Sequence, residues 1–153
     1  MNETKEAELL IDAEGHVLGR LASVVAKQLL QGRRVTVFNI EKAVVRGSWG
    51  SIQREWEHKL QLRSVINPFR YSPKWFVRPD AYFRQAVRGM LPARKRKGKD
   101  ALSLLRVYIG AHAQSAGTAV RVQEAVAEGG SGKAYTLEKI SKRFGWKGVV
   151  RNG

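Results

Sequence analysis

The 153 residues contain no cysteine. Disulfides, cysteine-type zinc sites and thiol nucleophiles are thereby excluded, and a reducing, cytoplasmic setting is expected. No run of 18 or more apolar residues occurs, so no membrane-spanning helix is expected. The opening MNETKEAELL carries Glu3, Glu6 and Glu8 and lacks a secretory-leader pattern. Acidic residues are scarce overall. Thirteen Asp and Glu stand against 28 Lys and Arg, a formal net charge of +15. Such an excess calls for an anionic partner, because self-repulsion otherwise opposes the compact state. Nucleic acid is the commonest, since each neutralised phosphate releases condensed counterions. A membrane surface is the other class. What is present in quantity is apolar: 43% hydrophobic residues suffice for one packed core at this length.

The positive charge is concentrated. Residues 1–62 hold nine basic and eight acidic side chains, and residues 100–153 hold eight and four. Residues 63–99 hold eleven basic side chains and one acidic, Asp80. Phe69, Tyr71, Trp75, Phe76, Tyr82 and Phe83 are interleaved there. Aromatic faces and guanidinium planes both stack on splayed bases, so this mixture suits RNA. The aromatics are equally compatible with a core. Solubility alone does not require so local a charge bias, which favours nucleic acid over a merely solvated surface.

Periodicity gives the elements. ELLID at 8–12 reads as a strand, and Ala13 to His16 as a turn. Leu18, Leu21, Ala22, Val25, Ala26, Leu29 and Leu30 recur at helical spacing up to Gln31, with Gly32 as the stop. RVTVFNI at 34–40 reads as a strand, Ala43–Val45 as a third short one, and Gly47–Gly50 as a loop. Ser51–Val65 reads as a helix. Pro68, Pro73 and Pro79 then stiffen a long loop. Asp80 is positioned to cap a helix over 81–91, ended by Pro92. Asp100–Leu105 reads as a short helix and Arg106–Ile109 as a strand. Residues 110–133 read mostly as loop, with a helical turn near Gln123. Thr136 is positioned to cap a last helix over 136–146. Alternation of strand and helix predicts an α/β domain with a small, mostly parallel sheet and basic loops around it. The expected organisation is an acidic tail (1–7), one domain (8–147) containing the basic stretch 63–99, and a C-terminal tail (148–153).

Arg84 and Arg88 lie four apart on one helix face, where they repel unless a phosphate sits between them. Phe83, Val87 and Met90 are expected on the buried side. Gly89 inside that helix costs up to ~1 kcal/mol, which suggests close approach of another backbone. Arg94, Lys95, Arg96, Lys97 and Lys99 form a cationic arm, expected on the surface and ordered by phosphates. Arg63, Arg70, Lys74 and Arg78 extend that surface along the proline-rich loop. Gly15, Gly19 and Arg20 sit where a strand enters a helix. GHVLGR is neither GxGxxG nor a P-loop, so a tight packing turn is favoured there over a phosphate cradle.

Catalytic chemistry is poorly supported. His16, His58 and His112 show no metal-ligand spacing, and EWEHK is not HExxH. His58 reads as an exposed helical residue. Asp12, Glu14 and Glu41 are candidates for a Mg²⁺ cluster of a nucleotide- or metal-dependent α/β enzyme, although caps and turns use carboxylates routinely. No cofactor, resident metal, catalytic residue or small-molecule substrate is expected.

Five blocks carry a resemblance. DAEGHVLGRLAS at 12–23, RVTVFNIEKAVVRGS at 34–48, FRQAVRGMLPARKRKGKDAL at 83–102, RVYIG at 106–110 and TLEKISKRFGW at 136–146 occur in order. Together they resemble the universal large-subunit ribosomal protein L-thirteen family, in its archaeal-type branch, from about residue 8 to about 147. The resemblance implies a three-layer α/β/α fold and a structural, non-enzymatic role in the large ribosomal subunit. It also implies partners: large-subunit rRNA and neighbouring large-subunit proteins. It adds Arg20 as an rRNA contact at the sheet end, and Arg46 and Lys147 complete the candidate set. An extra-ribosomal role in binding messenger RNA stays open.

Overall fold

A computed structural model describes residues 8–111, 120–127 and 132–148. The expected N-terminal tail, His112 and most of the expected C-terminal tail lie outside the described residues. β1 (Leu9–Asp12), β2 (Val35–Phe38) and β4 (Leu105–Val107) form a parallel sheet with β2 in the middle. Leu9 lies opposite Val35, and Val35 opposite Leu105. The central position explains the sequence of β2. All four residues of VTVF are buried, so it reads as a continuous apolar run rather than an alternation. Its one polar side chain, Thr36, donates its hydroxyl hydrogen to the Glu8 carboxylate.

Parallel neighbours need crossovers. α1 (Leu18–Leu30) supplies the first, and it buries Leu18, Leu21, Ala22, Val25, Ala26 and Leu29 as its spacing predicts. Leu30, expected on the same stripe, is 37% exposed. Gly32 follows with φ +88°, a conformation that Cβ disfavours. The second crossover, from β2 to β4, holds most of the basic chain. It opens with Asn39 at φ 52° and a 3₁₀ turn over Ile40–Lys42. That turn carries the chain away from the parallel sheet. The third strand, β3 (Val44–Arg46), therefore does not join it. It pairs antiparallel with β5 (Ala134–Thr136), with Val45 opposite Tyr135. β5 falls at the end of a stretch read as loop; three residues, AYT, are too short to show a period.

The helices start and stop where caps allow. α2 (Trp49–Gln61) begins two residues before the expected position because Ser48 Oγ accepts from the Ser51 N–H at 3.3 Å. It ends at Gln61 rather than Val65. α3 (Pro68–Tyr71) is a single turn capped by Asn67, inside the expected loop. α4 (Pro79–Met90) opens with Pro79, which has no N–H to leave unpaired. Asp80 therefore lies in the first turn instead of capping it. α5 (Arg96–Ser103) starts four residues before the expected Asp100. α6 (Leu137–Arg143) is capped by Thr136, as expected.

α1 packs most extensively on α4, whose Phe83 and Val87 are fully buried. Each such side chain contributes roughly 1.5–3 kcal/mol. Met90, expected beside them, is 45% exposed, and Leu91 fills the buried place instead at 6%. Trp56 of α2 stacks on Tyr82 of α4, centroids 4.5 Å apart, and on Phe144 just after α6, at 5.3 Å. His16 is fully buried at the head of α1. Its Nδ1 lies 3.0 Å from the Glu14 carbonyl, and its Nε2 accepts from the Val122 N–H at 3.1 Å. With Nε2 accepting, Nδ1 is the nitrogen that donates, to the Glu14 carbonyl.

Candidate nucleic-acid interface

The outer face of α4 is where the basic stretch becomes a surface. Arg84 and Arg88 share it, but they are differently employed. The Arg84 guanidinium donates to the carbonyls of Leu105 at 3.0 Å and Leu102 at 3.3 Å, tying α4 to the junction of α5 and β4. Arg88 is exposed and makes no hydrogen bond or ion pair among the described residues. It borders two adjoining hollows. One is lined by Phe76, Arg84, Lys99 and Leu102. The other, of about 420 Å³, is lined by Lys59, Trp75, Tyr82, Gln85, Ala86, Gly89 and Ala93.

Lys59 reaches this second hollow from α2. Its ammonium pairs with Glu55 and lies 5.3 Å from the Trp75 ring centroid. Gln85 Nε2 donates to the Lys74 carbonyl at 3.3 Å and so ties the proline-rich loop to α4. Two buried polar atoms there, Trp75 Nε1 and Gln85 Oε1, have no hydrogen-bond partner among the described residues. Leaving such an atom unpaired costs about 1–3 kcal/mol. Burial raises the Tyr82 phenol above its ordinary pKa of 10.0, with the Lys59 charge partly opposing. Gly89 has open space. A Cβ there would meet no heavy atom within 4 Å outside its own stretch of helix, so the close approach expected from its sequence position does not come from another part of the described protein.

The expected cationic arm is instead a folded corner. Lys95 is the N-cap residue of α5, and Arg96 and Lys97 form its first turn. The corner is held by Gly98. A Cβ at that position would lie 2.2 Å from the Pro92 carbonyl oxygen. The Lys95 N–H donates to the same oxygen at 2.9 Å. Mutual repulsion is borne by solvation, since Arg94 to Lys97 and Lys99 are all exposed. Among the described residues only Arg96 of these has an acidic partner, Asp100 at 3.8 Å, with both side chains largely in water. Cations at a helix N-terminus oppose the dipole, so this corner gains when an anion arrives.

The other predicted residues scatter. Arg63 and Lys74 are exposed beside α3. Arg70 lies 5.5 Å from the Tyr71 ring centroid. Arg78 forms a two-pronged pair with Asp80 at 3.1 and 2.9 Å. Arg20 in α1, half-buried Arg46 in β3 and Lys147 after α6 line neither hollow. The aromatics divide. Phe83 is core, Tyr82 is half-buried, and Trp75 lines a hollow. Phe69, Tyr71 and Phe76 are exposed. Lys59 and Gln85 were not legible as site residues, because Lys59 lies outside the basic stretch and reaches the hollow from α2, and Gln85 carries no charge.

Residues 6–114 of the chain match the family described as Ribosomal protein L13. The chain belongs to that family. Among similar proteins, the large ribosomal subunit protein uL13 of Methanosphaera stadtmanae is 38% identical over 138 residues, covering 90% of this chain and 97% of that protein. Its namesake from Aeropyrum pernix is 40% identical over 146 residues, covering 94% and 93%. The one from Methanopyrus kandleri is 48% identical over 101 residues, covering 66% of this chain and 61% of that protein. These relatives are archaeal, as the sequence blocks imply.

The family is one of ribosomal structural proteins and not of enzymes. The three carboxylates considered for a metal have structural partners. Asp12 Oδ1 accepts from the Glu14 N–H at 3.1 Å and from Asn39 Nδ2 at 2.9 Å. Glu14 pairs with Lys42 at 3.3 Å, and Glu41 accepts from the Gly110 N–H at 3.0 Å. They lock the turns at one end of the parallel sheet. His58 is exposed on α2, as expected.

Proposed function

We propose that the chain is a structural component of the large ribosomal subunit in the cytoplasm, held on large-subunit rRNA through the α4 face and the α5 corner. The observation that carries the reading is a set of exposed cations on α4 and at the start of α5. Arg88, Arg94, Lys95, Lys97 and Lys99 are exposed there without acidic partners among the described residues. Family membership and the printed names of the relatives support the same assignment. Binding proceeds by phosphate neutralisation and by fit to a folded RNA, because A-form grooves hide base edges from side chains. Arg20, Arg46, Arg63, Arg70, Lys74 and Lys147 add outlying contacts. Arg78 and Arg84 act mainly within the protein, through Asp80 and the carbonyls of Leu102 and Leu105.

Neighbouring large-subunit proteins complete the setting. Val65 and Ile66 are 99% and 92% exposed, and aliphatic side chains suit an apolar protein surface better than a base.

Two measurements test the reading. In sucrose gradients of native lysate, the protein should travel with large subunits. With six to ten phosphate contacts, affinity for rRNA should fall on the order of 10³- to 10⁵-fold between 50 and 200 mM salt. A flat salt titration, or a protein that stays at the top of the gradient, refutes the assignment.

A further inference from the structure

We infer that the hollow beside Gly89 receives a single nucleotide of an RNA strand, its ring system against Trp75 and Tyr82 and its phosphate on Arg88. The inference rests on the rRNA reading above and adds a defined pocket to it.

Gly89 supplies the first argument. A glycine in the last turns of an otherwise regular helix is a standing cost to the free protein. Tight packing inside the protein repays such a cost at Gly98, where a Cβ would strike the Pro92 carbonyl oxygen at 2.2 Å. At Gly89 nothing among the described residues outside its own stretch of helix lies within 4 Å of the Cβ position. The missing side chain therefore leaves room for something outside the protein.

The lining supplies the second. Flat aromatic surface from Trp75 and Tyr82 lies next to two cations, Lys59 and Arg88. Arg88 has no partner of its own among the described residues. A ligand that is a flat ring at one end and an anion at the other matches this set, and a nucleotide is such a ligand. The volume, about 420 Å³, is near the lower end of small-ligand pockets at ~300–1,000 Å³. It suits one base and excludes a helix or a folded segment.

The third argument is polar. Trp75 Nε1 needs an acceptor and Gln85 Oε1 needs a donor, and neither finds one among the described residues. The Watson–Crick edge of every base offers a donor and an acceptor side by side.

The test is Gly89→Ala, whose two effects have opposite sign. In the free protein the added methyl meets open space and improves helix propensity, so Tm should rise by about 2–4 °C. On transcribed large-subunit rRNA at one fixed salt concentration, the variant should bind on the order of tenfold more weakly. Its salt slope should stay near the wild type's, because every cation, Arg88 included, remains to meet phosphate. A variant that is stabilised yet binds with wild-type affinity overturns the inference and leaves the rRNA reading standing. A variant with lowered Tm overturns it too, since Gly89 would then serve internal packing. Wild-type protein that fails to bind the RNA removes the rRNA reading itself. AMP, CMP, GMP and UMP are titrated separately. Weak or absent binding of each supports a strand-held nucleotide, and saturation by any of them, lost in Gly89→Ala, shows instead a site for free nucleotides.

Discussion

His16 has no exposed surface, and both of its ring nitrogens are committed. Nδ1–H satisfies a carbonyl two residues back, and Nε2 satisfies the backbone N–H of Val122, 106 positions away. The ring thereby pins a distant segment to the head of α1. Truncation to alanine leaves a cavity and an unpaired buried N–H. His16→Ala should therefore lower stability by about 2–4 kcal/mol in urea denaturation, whereas exposed His58→Ala should stay within about 0.5 kcal/mol. Equal, small effects at both positions would show that the buried ring links nothing. The sequence places His16 in a turn. It cannot show the reach to Val122, because nothing local encodes a contact between such distant positions.

At the scale of elements, helix spacing was the most legible feature. The α1 stripe buries as its periodicity dictates, since a 13-residue amphipathic segment has few alternative ways to hide six apolar residues. Boundaries were less legible wherever a cap or a tertiary contact decided them. Ser48 extends α2 backwards, and Gly98 lets α5 begin amid like charges. The basic face was legible as composition but not as division of labour. Arg84 and Arg88 are equivalent by spacing, yet only the structure shows Arg84 spent on two carbonyls. Arg84→Ala should cost about 1 kcal/mol of stability, after discounting for its solvent exposure. Arg88→Gln should change stability by less than about 0.5 kcal/mol and reduce the RNA salt slope by about 0.9. Thermal melts and salt-dependent RNA titrations of both variants separate the roles. Identical behaviour of the two variants would mean that the carbonyl contacts do not distinguish them.

For the whole molecule, the decisive quantity is a net charge of +15 on a small α/β body. The described residues show five ion pairs, all partly in water, so most cations have no internal counter-charge. Exposed pairs of this kind contribute little, about 0–1 kcal/mol each. The dominant long-range term in the free protein is therefore repulsion, which added salt screens over a Debye length of about 10 Å at 0.1 M. The same ions compete with the protein for phosphate and weaken its complex with RNA. One variable should thus act in opposite directions on two states. Between 50 and 200 mM NaCl the free protein should gain on the order of 1 kcal/mol, a rise in Tm of about 2–4 °C, while its rRNA affinity falls steeply. Scanning calorimetry of the free protein in the buffers used for the RNA titrations reads both responses. A Tm that falls with salt would mean that attractive pairs outweigh repulsion, and a surface held cationic for a polyanion would no longer account for the charge.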